Sequence, residues 1–113
     1  ETRDDYSRVV TALEDGLSRF ATGTYAVWYP RLARIEARRL PGQLAQLPVK
    51  SWLHATLDVR APSPDGYGMH GSGMFVLNPP WTLKATLEKT LPYLARVLAE
   101  DAGAGYTLTH EGD

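Results

Sequence analysis

Asn78-Pro79-Pro80-Trp81 is the stretch whose residue types and spacing are best suited to chemistry. It follows the apolar run Met74-Phe75-Val76-Leu77, so an amide would stand at a strand end, in a turn that two prolines hold rigid, beside an aromatic ring. An amide held rigidly beside a ring could hydrogen-bond a ligand that packs on that ring. Pro-Pro after a strand is equally an ordinary stop before a helix cap, and the tetrad alone leaves these readings level. Gly66-Tyr67-Gly68-Met69-His70-Gly71-Ser72-Gly73 precedes a strand instead of joining a strand to a helix, which makes a poor phosphate or cofactor cradle. His54, His70 and His110 have no ligand spacing between them, and no nucleophile elbow or triad signature occurs. The absence of Cys excludes a disulfide scaffold and a thiolate zinc site. The aromatics Trp28, Tyr29 and Trp52 read first as core.

The elements that must position these residues follow from periodicity. Tyr6, Val9, Val10, Leu13, Leu17 and Phe20 form one stripe, which predicts an amphipathic helix over 5–20 capped by Asp4 or Asp5. Residues 24–29 are uncharged, aromatic and β-branched, as in a strand buried on both faces. Residues 31–47 read as a helix that Pro41-Gly42 interrupts or kinks. A strand over 50–60, a Gly-rich loop over 61–73 and a short strand over 74–77 come next. Thr82 caps a long helix with Lys84 and Glu88 one turn apart and a kink at Pro92. A last edge strand covers 106–109. Strand, helix, strand predicts α/β with helices on both faces of a largely parallel sheet, a right-handed crossover joining the first two strands and an antiparallel second and third. Such a domain looks like half of a doubly wound sheet, and its unpaired edge invites self-association.

At 113 residues, 43% hydrophobic and 22% charged, the chain is at most one ordinary domain and too apolar to be disordered. Its apolar runs are far shorter than the ~18 residues of a membrane span, and no basic-then-apolar leader opens it. A cytoplasmic location fits. The chain begins with Glu1 and not Met, as a fragment or processed product would. Net charge is −1, but residues 31–50 carry Arg31, Arg34, Arg38, Arg39 and Lys50 against Glu36 alone. That segment either meets phosphates or is the solvated face of a surface helix.

The Asn-Pro-Pro-Trp tetrad resembles the catalytic motif of amino-group methyltransferases, in which the flipped base presents its amine to a methyl sulfonium. Phe20-Ala-Thr-Gly-Thr-Tyr-Ala-Val-Trp-Tyr-Pro30 and Gly68-Met-His-Gly-Ser-Gly-Met-Phe-Val-Leu-Asn-Pro-Pro-Trp81, with Thr90-Leu91-Pro92-Tyr93, together resemble the J-type large-subunit (23S) ribosomal RNA adenine-N6 methyltransferases. The resemblance covers essentially the whole chain and implies the C-terminal half of a class I, Rossmann-like methyltransferase domain, with one reversed strand in a parallel sheet. It implies that residues 1–113 are a single partial domain. The S-adenosylmethionine site would lie in an absent N-terminal half, and the catalytic Asp-Pro-Pro-Tyr immediately before Glu1.

On that reading the chain holds no catalytic, cofactor-binding or metal-binding residue and is inactive alone. The parent uses S-adenosylmethionine to methylate an adenine in unpaired or protein-free ribosomal RNA, with no membrane partner. The family geometry puts Trp28, Tyr29, Pro30 and loop 61–73, with Tyr67, Met69 and His70, on the catalytic, substrate-facing rim. It puts Asn78, Pro79, Pro80 and Trp81 at the opposite rim as a structural turn. The alternative is a stand-alone RNA-binding or protein-interaction module that uses a basic helix over 31–39.

Overall fold

The computed structural model describes residues 3–64 and 68–112, with the side chains of Arg3 and Asp4 left aside. Helix α1 (Arg3–Arg19) buries the stripe of Tyr6, Leu13 and Leu17, and α2 (Ile35–Ala45) buries Ala37, Leu40 and Leu44. Both pack on one face of a four-stranded sheet built from β1 (Tyr25–Arg31), β2 (Trp52–Asp58), β3 (Gly71–Leu77) and β4 (Gly105–Glu111). Tyr29, Phe75 and Leu77 complete that core from the sheet. The opposite face is covered by α3 (Leu83–Val97), whose Leu83, Leu87 and Leu91 meet Leu53, Ala55 and Leu108. Each buried Leu or Phe of these two clusters contributes about 1.5–3 kcal/mol.

The strand order is β1-β3-β2-β4, and every neighbouring pair is antiparallel. The expected largely parallel sheet with a single reversed strand is therefore corrected. β1 and β2 do run the same way, as their joining helix requires, but β3 is inserted between them. The connection from β2 to β3 contains no helix, so β3 returns antiparallel beside β2. Helix α3 then carries the chain back across the sheet, so β4 runs with β3 and against β2.

Other boundaries move for physical reasons. β1 is buried on one face only and Trp28 on the other is 56% exposed, because α3 lies over β2 and β4. Arg31 ends β1 and Arg34 caps α2, so the basic helix expected over 31–39 holds only Arg38 and Arg39 of its four arginines. α2 runs through Pro41 and α3 through Pro92 without interruption. Thr82 precedes α3 without a side-chain capping bond, whereas Lys84 and Glu88 do pair, at 3.9 Å. β3 begins at Gly71, inside the stretch expected to be loop. A Cβ at Gly71 would strike Asp58 and the backbone of Leu57, and one at Gly73 would strike the Tyr29 ring, so these glycines serve close packing in a strand. No helix among the described residues is long and apolar enough to cross a membrane.

Asn78 is the joint between β3 and the start of β1. Its backbone adopts φ 52°, unusual outside glycine. Its amide nitrogen donates to the carbonyls of Ala21 (3.1 Å) and Gly23 (2.9 Å), and its own carbonyl accepts the Thr24 hydroxyl at 2.7 Å. Asn78→Ala loses two side-chain bonds and adds left-handed strain, so urea unfolding should show a loss of about 2–3 kcal/mol. Asn78→Gly removes the strain and should lose about 1 kcal/mol less.

Candidate functional site

The carboxyl ends of β1 and β2 and the amino ends of β3 and β4 share one rim of the sheet, and the polar side chains gather there. On the face toward α1 and α2, Tyr29 lies against Gly73 of β3 and reaches over that strand to β2. Its hydroxyl meets His54 Nε2 at 2.5 Å, and the two rings stack with centroids 5.9 Å apart. Burial holds the Tyr29 phenol above its ordinary value, partly offset by Arg31. Burial also holds the His54 imidazole below its ordinary value, helped by the Arg31 charge. Both shifts favour the neutral forms of the two partners.

One position further along, Arg31 Nε donates to Asp58 Oδ1 at 2.8 Å, and His70 Nε2 stands 3.8 Å from the same oxygen. His70 is fixed between the strands, since its amide donates to the Arg31 carbonyl and its carbonyl accepts the Val59 amide. Arg60 donates to the Met69 carbonyl at 2.7 Å and holds the preceding residue in place.

Two clefts open on either side of Tyr29. One, of about 510 Å³, lies between α1 and the edge of β1 and is lined by Tyr6, Val9, Trp28, Tyr29, Pro30 and Met69, among others. The other, of about 360 Å³, is lined by Tyr29, Arg31, Ala33, Arg38, Pro41 and His70, with Leu32, Ala37 and Pro62 completing it. Trp28, Tyr29, Pro30, Met69 and His70, named from the sequence, thus meet at one rim. Tyr67 lies outside the described residues. Asn78, Pro79, Pro80 and Trp81 stand at the other rim, where Asn78 ties the α1–β1 turn and Trp81 is 90% exposed.

The sequence reading missed Arg31, Asp58 and the Tyr29–His54 pair as parts of this rim. Gly71 and Gly73 were the available signal: glycine inside a strand marks a place where something approaches the backbone closely. Among the described residues no group of three or more His, Asp or Glu could hold a metal ion. The turn from β1 to α2 is Leu32-Ala33-Arg34, without the glycines that let a strand-to-helix turn approach a cofactor, so this turn does not fit a dinucleotide-type cradle.

Residues 1–109 match the family described as ribosomal RNA large subunit methyltransferase D, RlmJ. The chain is 44% identical over 108 residues to ribosomal RNA large subunit methyltransferase J of Haemophilus influenzae, spanning 96% of this chain and 38% of that protein. It is 40% identical over 106 residues to the Escherichia coli protein of the same name, spanning 94% of this chain and 37% of that one. The chain therefore covers less than two-fifths of the length of these relatives. In fold it is similar to the crystal structure of protein LPL1258 from Legionella pneumophila, with a TM-score of 0.78 and 24% identity, over 99% of this chain and 40% of that one.

Two outcomes test the geometry of the rim. Gly73→Ala must displace the Tyr29 ring from over β3 and should lower stability in urea by about 1–3 kcal/mol. Because folding holds His54 below its ordinary pKa of 6.5, the unfolded chain binds the extra proton first. Stability from this group is complete above that value and declines as pH falls toward the lowered folded value. Melting curves taken from pH 7 downward should therefore fall more steeply for the unaltered chain than for His54→Gln.

Proposed function

Because the chain belongs to the ribosomal RNA large subunit methyltransferase J family, we propose that it is the RNA-facing part of an S-adenosylmethionine-dependent enzyme that methylates the N6 amine of an adenine in large-subunit ribosomal RNA. The observation that carries this reading is the convergence of Trp28, Tyr29, Pro30 and Met69 on the cleft beside Tyr6 and Val9. Its volume of about 510 Å³ is ample for a purine, and its walls are aromatic and apolar with few polar groups. Unstacked RNA bases are recognised in this manner, laid against aromatic rings. In the proposal the exposed Trp28 ring holds the extruded base at the β1 edge, and Pro30 and Met69 exclude water around it. The methyl donor and the groups that accept hydrogen bonds from the amine belong to the part of the longer polypeptide outside these residues. The unpaired edge of β1 beside the same cleft is where that part would join.

The 113-residue chain titrated calorimetrically with S-adenosylmethionine should give no binding heat, and it should transfer no methyl group. A polypeptide of the relatives' full length should bind the donor and methylate adenine in protein-free large-subunit RNA. In that polypeptide Trp28→Ala should lower methyl transfer about tenfold, since stacking on an aromatic side chain contributes about 1–3 kcal/mol per base. Donor affinity should be unchanged. Micromolar donor binding by the chain alone, or methyl groups found only on another base or on ribose, would refute the proposal.

A further inference from the structure

The second cleft is chemically unlike the first, and we propose that it is a subsite for a ribose-phosphate unit of RNA adjoining the nucleotide held against Trp28. The inference rests on the reading of this rim as RNA-facing and adds the group that the basic side of the rim takes. Arg31 and Arg38 line one cleft of about 360 Å³, together with His70 and Tyr29. Arg31 is held in place by its bond to Asp58 while its side chain stays 34% exposed, so its planar fork is pre-organised at the cleft wall. Arg38 has no acidic partner among the described residues. Asp58 is shared by Arg31 and His70, which leaves the positive charge of Arg38 unbalanced there. Two arginines lining one cleft, with a single carboxylate behind them, suit an anionic group such as a phosphate better than a neutral ligand.

The remaining wall suits a sugar. Ala33, Ala37, Pro41 and Pro62 are small or apolar. A small, apolar wall of this kind can pack against the ring of a ribose. Tyr29 lines both clefts. A base against Trp28 and the phosphate and sugar of its neighbour between Arg31 and Arg38 would be consecutive parts of one strand crossing that ring.

The test is fluorescence anisotropy of a labelled nine-nucleotide single-stranded RNA with a central adenine, titrated with the full 113-residue chain. Arg38→Gln should weaken binding about five- to tenfold, as loss of a charge-assisted phosphate contact does, and lower the slope of log affinity against log salt by about 0.7. Arg39 is the control: it is one residue away, also exposed and outside the cleft, so Arg39→Gln removes the same charge and should change affinity less than twofold. Ala33→Phe leaves both arginines in place but fills the cleft, and should weaken binding as much as Arg38→Gln does. Equal effects of the Arg38 and Arg39 variants, unaltered binding by Ala33→Phe, or no RNA binding by the unaltered chain would each overturn the subsite. Methyl transfer to adenine by the longer polypeptide is measured separately, so loss of the subsite and loss of the proposed activity are distinguishable.

Discussion

β3 runs between β1 and β2, and the rim depends on two bare positions in that strand. Side chains on β1 and β2 would ordinarily be kept apart by the intervening residue of β3. At Gly73 there is none, so the Tyr29 ring lies across the strand and closes onto His54. At Gly71 the space is taken by Asp58, which is thereby aimed at Arg31. The polar groups so joined are neutral or paired, as groups in a half-buried setting must be. Their placement fixes the outward positions of Pro30, Arg31 and His70 and hence the shapes of both clefts.

The course of β3 also gives the two ends of the sheet different side chains. Its amino end carries the glycines and meets the ends of β1 and β2. Its carboxyl end carries Asn78, whose side chain is spent on the carbonyls of the α1–β1 turn. An amide so engaged is suited to holding a turn in a left-handed conformation. The unengaged aromatic and basic side chains near Tyr29 are suited to receiving a ligand. In the proposed reading that ligand is RNA, with its base in one cleft and its charged backbone in the other.

The helices and the antiparallel return of β3 were legible in the sequence because each has a local cause. Stripes such as Tyr6, Leu13 and Leu17, or Leu83, Leu87 and Leu91, fix a helix face, and a connection without a helix sends β3 back beside β2. The direction of β4 was not read, although α3 between β3 and β4 dictates it once β3 is placed. The burial of β1 was misread because Trp28 and Tyr29 are equally apolar, and only the position of α3 tells which is covered. Gly71 and Gly73 looked like a loop because composition does not distinguish glycine that frees a backbone from glycine that lets a neighbour close on it. The pairs Tyr29–His54 and Arg31–Asp58 were illegible for a related reason: their members are 25 and 27 residues apart and meet only across a third strand.

Which rim of the sheet meets RNA is the claim on which the account turns. Amide hydrogen exchange of the full-length polypeptide, with and without a hairpin of large-subunit RNA containing an unpaired adenine, addresses it directly. RNA should slow exchange in residues 28–41 and 69–72 and leave residues 20–24 and 78–84 unchanged. Protection concentrated at Asn78 to Lys84, with none around Tyr29 and Arg38, would contradict it.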